Sequence, residues 1–393
     1  MAVRHGYGKA AGTDALVFAY DTGDTRNSYR GEPTTNLATD TPSQSGWQGT
    51  YSVVDSNTKT FLITTQQNDA SVGAAWRTWY WSVSSYIGSY ITISADVEFV
   101  SETNCTFSNI TVGQGNTGTY PTHILGSDAA DRQTISTKPV EKIHMTWSGV
   151  INATGIVGFT FWTSNVTVNG ATAVLRISNV QIEAKAHETP FVNGTRSSTQ
   201  GLLDLTGNSS IDLSNVSFDS NADIDLDGTN DYIETADSSL LDLTTDMSFE
   251  FVVNADSSQG NLYPRLIDKG SAYLIHINQE APFGVYHNIY TSAGLRQTGT
   301  TSSIIEPNTW NHIVVTYDSQ IGKIYINGEL VRERDYGSPL ACSTNSTSVR
   351  IGGDGSTNRP LNGKLPVSKI YNRALTAAEV LNNFNNYKSR FNL

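Results

Sequence analysis

The segment from Tyr90 to Phe99 alternates strictly between apolar and polar residues. One side would carry Ile91, Ile93, Ala95, Val97 and Phe99, and the other Tyr90, Thr92, Ser94, Asp96 and Glu98. A period of two residues is that of a β-strand with one buried face, whereas the apolar stripe of a helix repeats every 3.6 residues. The segment therefore predicts a strand, and such strands must bury their apolar faces between packed sheets.

Similar segments follow at residues 143–150, 156–162 and 173–183, separated by polar turns. In the last of these we expect Val174, Arg176, Ser178 and Val180 to lie opposite Leu175, Ile177 and Ile182. Only 16% of the residues are charged, and Ser, Thr, Asn and Gly are abundant instead, which favours strands and turns over helices. Residues 33–192 therefore predict a jelly-roll-like β-sandwich.

The second half of the chain contains a further series of strand-like segments. We place them at residues 222–226, 231–234, 247–254, 273–277, 284–290, 311–317, 323–326 and 348–351. Asn327-Gly328 between alternating apolar residues predicts a hairpin with a type I′ turn. Thr376 to Glu379 has the pattern of a capping box, and Val380, Phe384, Tyr387 and Phe391 follow at helical spacing. They predict one C-terminal helix that packs on a sheet.

The chain has 393 residues, more than one hydrophobic core usually serves. We predict an all-β protein with an N-terminal arm (1–32), a first sandwich (33–192), a linker (193–221) and a second sandwich (222–393). The arm contains one short strand, at residues 15–20, and we expect it to serve as an attachment or docking segment because a lone strand is not stable in water.

The formal net charge of −12 argues against nucleic acid as a partner, because affinity for phosphates comes from Lys and Arg. No run of 18 apolar residues occurs, so we expect no membrane insertion. The first ten residues are not followed by an apolar segment, so we expect no secretory signal. Cys105 and Cys342 are too few and too far apart for a disulfide framework or a zinc site.

Six segments of the second half occur in a recognisable order. They are residues 226–234, 248–252, 310–317, 324–330, 350–353 and 370–380. Together they resemble the laminin G-like domain of the concanavalin A-like lectin/glucanase superfamily. The resemblance implies that the second sandwich is concanavalin A-like and that it serves binding or structure rather than catalysis.

Residues 371–380, followed by Asn383-Phe384-Asn385, resemble the form of this domain found in structural proteins of tailed phages. Shorter segments at 18–23, 31–36, 177–183 and 189–191 are similar to the same proteins. This resemblance implies a component of the virion surface, of the tail-fibre, head-fibre or capsid-decoration type, attached to other virion proteins through its N-terminal arm. It also implies a homo-oligomer, with a trimer favoured, and a host-surface glycan as a candidate partner. The alternatives are a carbohydrate-binding adhesin outside a virion and, less favoured, a glycan-degrading enzyme.

Catalytic residues are not apparent in the sequence. A glycosidase on this fold needs two carboxylates about 5 Å apart on one strand face, and the Glu-x-Asp-x-x-Glu motif of the retaining enzymes of the superfamily is absent. Glu250 stands alone between apolar neighbours, and we expect it on the outward face of its strand. The seven histidines are dispersed, and for His312 we expect only packing near Trp310. We therefore predict a protein that is not an enzyme.

Laminin G-like domains often hold Ca²⁺ at the rim of the sandwich, and Ca²⁺ is the one candidate cofactor. Hard cations prefer oxygen ligands, which Asp227, Asn230, Asp231 and Asp354 would supply. Ordinary β-turn chemistry explains the same residues and is the preferred interpretation.

The densest aromatic cluster lies in the first predicted sandwich and comprises Trp76, Trp79, Tyr80 and Trp81. Alternation directs Trp79 and Trp81 to one face of a strand and Tyr80 to the other. One set is expected in the core. For the other set, three interpretations are left: a sugar-binding platform, a protein interface, or a surface covered by other parts of the chain.

Overall fold

The computed structural model describes residues 15–393, except 47–48, 70, 72, 116–129, 131, 220–222, 261–262, 301–303 and 357–358. The described part is almost entirely β-strand, with one α-helix near the C-terminus. It forms two compact units, one from Thr34 to Arg196 and one that combines the described residues up to Pro33 with Ser197–Leu393. Each unit is a sandwich of antiparallel sheets, so the predicted all-β class with two sandwiches is confirmed.

The strands are numbered along the chain. The first thirteen are β1 (Leu16–Asp21), β2 (Thr34–Thr35), β3 (Ser43–Gly46), β4 (Gly49–Asp55), β5 (Thr60–Gln67), β6 (Ala74–Ser82), β7 (Tyr90–Thr103), β8 (Thr106–Gln114), β9 (Arg132–Ile135), β10 (Ile143–Val150), β11 (Ile156–Ser164), β12 (Ala171–Glu183) and β13 (Thr195–Arg196).

The remaining elements all belong to the C-terminal unit. They are β14 (Ile211–Asn215), β15 (Ser217–Phe218), β16 (Ile224–Asp227), β17 (Tyr232–Thr235), β18 (Asp246–Ala255), β19 (Arg265–Asp268), β20 (Tyr273–Ile277), β21 (Val285–Thr291), β22 (Gly294–Gly299), β23 (Trp310–Asp318), β24 (Ile321–Ile326), β25 (Glu329–Asp335), β26 (Val349–Ile351), β27 (Asn362–Tyr371) and helix α1 (Ala377–Phe391).

The N-terminal unit packs a five-stranded sheet of order β10-β7-β12-β5-β4 on another of order β3-β6-β11-β8-β9. The apolar face predicted for residues 90–99 lies in its core, where Ile91, Ile93, Ala95 and Val97 are fully buried. The period-two pattern of the sequence therefore identifies the inward face of β7.

The side chain of Val180 in β12 lies on the opposite face of the strand from the predicted one. Val180 is fully buried in the core together with Leu175 and Ile177, although the alternation of the sequence puts it opposite to them. The register with β7 shifts by one residue between Ser178 and Gln181, and Asn179 has φ +54°. This β-bulge adds one residue and so exchanges the two faces beyond it.

The C-terminal unit packs an eight-stranded sheet on a seven-stranded one. The first has the order β15-β16-β27-β18-β23-β24-β25 with β1 also paired to β27, and the second the order β14-β17-β26-β19-β20-β21-β22. The core between them is apolar and includes Phe249, Phe251, Tyr273, Ile313 and Ile351.

Two segments outside the predicted second sandwich belong to this unit. β1 pairs with β27 along residues 16–21, and β14 pairs with β17. Within the region expected to be a linker, Leu202 and Leu213 are buried in the same core. The division of the sequence into arm, linker and domain thus differs from the division in space, because strands distant in sequence complete the sheets. Residues 1–14 of the arm lie outside the described residues.

Strand β27 lies in the interior of the eight-stranded sheet, and the sequence analysis did not predict it. It contains Pro366, which lacks a backbone N–H and argues against an interior strand. The register between β18 and β27 shifts at this point, from Val252 opposite Val367 to Asn254 opposite Lys364. The proline falls in the resulting bulge, and its carbonyl accepts a hydrogen bond from Thr22 N at 3.0 Å.

The predicted hairpin and helix are both present. Asn327 and Gly328 have φ values of +50° and +82°, as a type I′ turn requires. Helix α1 begins with the complete Thr376–Glu379 capping box, and the predicted apolar residues Val380, Phe384, Tyr387 and Phe391 are buried. No helix in the described part of the chain has both the length and the apolar character needed to cross a membrane.

Helix α1 covers a charged group rather than a purely apolar surface. Glu250 lies on the outer face of β18, as expected, but it is 0% exposed. Its carboxylate accepts hydrogen bonds from Tyr371 Oη at 2.7 Å, Asn383 Nδ2 at 2.9 Å and Lys369 Nζ at 3.3 Å, and His312 Nε2 lies 3.0 Å away. His312 thus has a polar partner that the sequence did not reveal.

The ionisation of Glu250 depends on these neighbours. Burial alone would raise the pKa of this carboxyl, but the Lys369 charge and the contacts with His312 and Tyr371 outweigh it and lower the pKa to about 2. The folded state therefore binds the proton of Glu250 more weakly than the unfolded chain does, and this difference stabilises the fold at neutral pH.

Replacing Glu250 with Gln should lower the free energy of unfolding at neutral pH by about 3–5 kcal/mol, because it breaks the buried ion pair of Glu250 with Lys369. The contribution of Glu250 is complete above its ordinary pKa of 4.5 and is lost as pH falls toward 2. Between these values, the unfolding free energy of the wild type should decrease more steeply than that of Glu250→Gln. Urea unfolding followed across this pH range measures both effects.

The control for this experiment is Glu333→Gln, which removes a carboxylate that is 48% exposed and paired with Lys323. We expect it to change stability by less than about 1 kcal/mol. A Glu250→Gln variant with the stability and the acid profile of the wild type would contradict the proposed role of the buried carboxylate.

Candidate functional site

The outer face of the seven-stranded sheet is polar and aromatic where its inner face is apolar. On β20 and β21, alternate residues point to the two sides, as the pleat of a strand requires. The inward set is buried and comprises Tyr273, Ile275, Ile277, Val285, His287 and Ile289. The alternate set, which lines a cleft, comprises Leu274, His276, Tyr286, Asn288 and Tyr290.

This cleft consists of two adjoining cavities of about 880 and 390 Å³. They share five lining residues, Tyr263, Arg265, Leu274, Tyr290 and Arg359. The larger volume is within the range of sites that bind small ligands in proteins.

Strand pairing places the outward side chains of six strands in one row across the sheet. From β17 to β22, the residues that lie opposite one another are Glu234, Arg350, Asp268, Leu274, Asn288 and Gln297. Neighbouring strands are about 4.8 Å apart, so the row brings charged, apolar and amide groups within the span of a short oligosaccharide or peptide.

Three rings form what we call the aromatic corner of the cleft: Tyr263, His276 and Tyr286. His276 and Tyr286 are cross-strand partners, and their rings stack with centroids 4.9 Å apart at an angle of 9°. The Tyr263 ring meets His276 edge to face, at 5.1 Å and 74°. Burial lowers the pKa of His276 to about 4, although a backbone contact with Ile277 acts in the other direction. The imidazole is therefore neutral at physiological pH.

Two arginines that line the cleft are held in place by protein acceptors. Arg265 donates from Nε to Asp268 at 2.8 Å and from Nη1 to the Tyr263 carbonyl at 3.0 Å. Arg350 donates from Nε to Glu234 at 2.6 Å and from Nη1 to the Asp354 carbonyl at 3.1 Å. Guanidinium groups oriented in this way lose little freedom when a ligand binds.

An amide pair continues the row on β21 and β22. Gln297 Nε2 donates to Asn288 Oδ1 at 2.9 Å. This bond uses one donor and one acceptor, so each amide keeps further hydrogen-bonding capacity. Amides of this kind are suited to hydroxyl groups, which both donate and accept.

The carboxylates in the cleft already act as acceptors for the protein itself. Asp268 accepts from Gly270 N at 2.6 Å and from Arg265. Asp354 accepts from Ser356 N at 2.9 Å and from Ser356 Oγ at 2.6 Å. A glycosidase instead directs one carboxyl to the leaving oxygen and another to the anomeric carbon.

The calcium candidates are divided between a turn and the cleft. Asp227 and Asp231 flank the turn from β16 to β17, where Asp227 accepts from Thr229 N at 2.8 Å and Asp231 accepts from Asp227 N at 3.3 Å. Asn230 is exposed in the same turn, and Asp354 follows β26 in the cleft. Among the described residues, no three His, Cys, Asp or Glu side chains are grouped to hold a metal ion. Ca²⁺ binding by these residues stays a prediction.

The aromatic cluster of the N-terminal unit divides as alternation predicts. Trp79 and Trp81 are core residues, 1% and 5% exposed, and Trp81 Nε1 donates to the Thr39 carbonyl. Trp76 and Tyr80 are half-buried, and Trp76 stacks on Trp162 at 5.6 Å. A ligand or interface role for this cluster therefore concerns Trp76 and Tyr80, and it stays a prediction.

The cleft was not predicted from the sequence, although β20 and β21 were. The signal available was the outward set of those strands, His276, Tyr286, Asn288 and Tyr290, which is aromatic and amide-rich and does not contribute to the apolar core. Their partners Tyr263 and Arg350 come from separate parts of the chain, and their proximity depends on the order of the strands in the sheet.

The fold and the cleft define the C-terminal unit as a lectin-like β-sandwich. A laminin G family model, described as the concanavalin A-like lectin/glucanases superfamily, matches residues 227–381. The C-terminal region therefore contains a laminin G-like domain of this superfamily, as the six ordered motifs implied.

Among solved structures, the chain is similar to toxin binding domains. The binding domain of Paraclostridial Mosquitocidal Protein 1 is 19% identical with a TM-score of 0.41, over 47% of this chain and 49% of that one. The botulinum neurotoxin serotype G binding domain is 18% identical with a TM-score of 0.41, over 48% and 49%. The serotype D binding domain is 15% identical with a TM-score of 0.39, over 48% and 49%. The matches thus span about half of each of these chains, and no curated protein was found to match the sequence.

The division of the aromatic cluster yields a stability prediction for the N-terminal unit. Replacing Trp79 with Ala should lower the free energy of unfolding by about 3–5 kcal/mol, because it leaves a large cavity in the core. Tyr80→Ala on the opposite face of the same strand should cost clearly less. Denaturant unfolding of the two variants compares them, and an equal loss would contradict the assignment of faces.

Proposed function

We propose that this chain is a carbohydrate-binding protein and that the cleft on the seven-stranded sheet is its binding site. The observation that carries the proposal is the aromatic corner of Tyr263, His276 and Tyr286, next to an amide pair and two oriented arginines. A sugar ring has apolar C–H faces and a polar edge of hydroxyl groups. Aromatic rings suit the faces, and amide and guanidinium groups suit the edge.

The family match of residues 227–381 supports this proposal, since its description names lectins. It also names glucanases, but fold does not determine function. The carboxylates Asp268 and Asp354 accept hydrogen bonds from neighbouring protein groups, which supports binding without catalysis.

We further propose that the protein lies on the surface of a tailed-phage virion, as a tail-fibre, head-fibre or capsid-decoration component, and adheres to host glycans. The support is the resemblance of residues 371–385 and of the shorter segments to phage structural proteins. Attachment to other virion proteins would fall to the N-terminal arm, residues 1–32, of which residues 16–21 also pair with β27. We propose a homo-oligomer, with a trimer favoured, since fibres use closed symmetry.

Gold-labelled antibody against the protein on intact phage particles tests its location. Labelling of heads or tails supports the virion proposal and tells the two positions apart. Protein that is found in infected or producing cells but not on particles would contradict it, and would leave an adhesin outside the virion as the alternative.

Glycan binding is tested with a bacterial glycan array, followed by calorimetry with the oligosaccharide that gives the strongest signal. Tyr286→Ala should weaken its binding at least about tenfold, because the variant removes one ring of the corner. Tyr90→Ala, which removes a tyrosine that is 53% exposed in the other unit, should leave the affinity unchanged.

Thermal unfolding of both variants verifies that they are folded. The proposal would be contradicted if no oligosaccharide bound to the wild type, or if Tyr286→Ala bound as tightly as the wild type.

A further inference from the structure

Tyr263 has a backbone conformation that tyrosine rarely adopts. Its φ is +67°, in the left-handed region where a side chain bearing Cβ crowds the backbone. Eight other non-glycine residues in the described part of the chain have positive φ, and six of them are asparagine, the residue that tolerates this region best. An aromatic residue here is an exception that needs a reason.

The following residue makes this conformation still less favourable. Tyr263 precedes Pro264, and the ring of a proline restricts the preceding residue to extended conformations. Backbone hydrogen bonds nevertheless hold the two residues that follow Tyr263. The Pro264 carbonyl accepts from Ile277 N at 3.0 Å, and Arg265 N donates to the Arg359 carbonyl at 3.1 Å. The two residues that follow Tyr263 are therefore tied to β20 and to the segment before β27, which restricts the backbone path at Tyr263.

Packing gives little reason for a tyrosine at this position. The side chain is 46% exposed, whereas aromatic residues that stabilise a fold are mostly buried. Its ring contact is the edge-to-face one with His276. The hydrogen bond from Arg265 goes to the Tyr263 backbone carbonyl, which any residue would supply. For stability alone, asparagine or glycine would suit the position as well or better.

The position of the ring supplies the reason. Tyr263 lines both cavities of the cleft, and its plane is steeply inclined to the nearly parallel rings of His276 and Tyr286. The left-handed backbone thus places an exposed aromatic ring at the point where the two cavities meet. Strained residues that the surrounding structure enforces are concentrated at functional sites.

We propose that Tyr263 is the primary sugar-stacking residue of the cleft, retained for ligand binding at the expense of local backbone strain. The inference rests on the proposed glycan-binding function and assigns one residue to its main apolar contact. The ligand it requires is a pyranose with an uninterrupted C–H face, which packs on the tyrosine ring while its hydroxyl groups meet Arg265 and the neighbouring polar groups.

The test combines stability with affinity in the full chain. Tyr263→Asn removes the ring but keeps a residue that tolerates positive φ. We expect its melting temperature to equal or exceed that of the wild type, by up to about 3 °C. Its affinity for the strongest-binding oligosaccharide of the array should fall at least about tenfold. Tyr263→Phe keeps the ring and should retain the affinity within about threefold.

Asn308→Asp is a suitable control, since Asn308 also has positive φ, +56°, and does not line the cleft. It should leave the affinity unchanged. A melting temperature of Tyr263→Asn clearly below that of the wild type would overturn the inference, because the tyrosine would then be structural. If the wild type binds the oligosaccharide and Tyr263→Asn binds it equally well, the inference is overturned and the proposed function stays intact. A wild type that binds no glycan would overturn both.

Discussion

The carboxylate of Glu250 is fully buried, and its partners come from three other elements of the C-terminal unit. Lys369 and Tyr371 belong to β27, His312 to β23 and Asn383 to α1. A buried charge is tolerated only when it is paired and hydrogen-bonded. The three strands and the helix must therefore meet in one arrangement, which positions β27 inside the eight-stranded sheet and lays α1 across the outer face of that sheet.

The two sheets of this unit consequently have different outer faces. The helix covers part of the eight-stranded sheet, whereas the seven-stranded sheet carries the cleft. Both sheets use the same alternation, in which inward residues form the apolar core between the sheets and outward residues point away from it. On β20 and β21 the outward residues His276, Tyr286 and Asn288 line the cleft. Tyr263, which has a positive φ although it precedes a proline, lies beside them, as expected for the binding site that we propose here.

Much of the fold was predictable because its signals are local. The strands at 247–254, 273–277 and 311–317, the turn at Asn327-Gly328 and the capped helix depend on residues a few positions apart. Irregularities intervened at two places: Val180, predicted on the opposite face, is buried beyond the bulge at Asn179, and the interior strand β27, which contains Pro366, was not predicted. The candidate site was less predictable. Alternation separated Trp79 and Trp81 from Tyr80, but it did not indicate which set was buried, since both are aromatic.

Local pattern thus decided which residues of each strand share a face, where the hairpin turns and where the helix begins. The order of the strands in the sheets decided which residues form the cleft and how the buried charge is paired. The row from Glu234 to Gln297 exists only because six strands lie side by side, and the buried Glu250 meets Lys369, 119 positions away, only because β18 and β27 are neighbours. Periodicity and capping arise from contacts within one strand or one helical turn. Sheet neighbours and the burial of a charge depend on contacts between distant segments, which only the folded chain brings together.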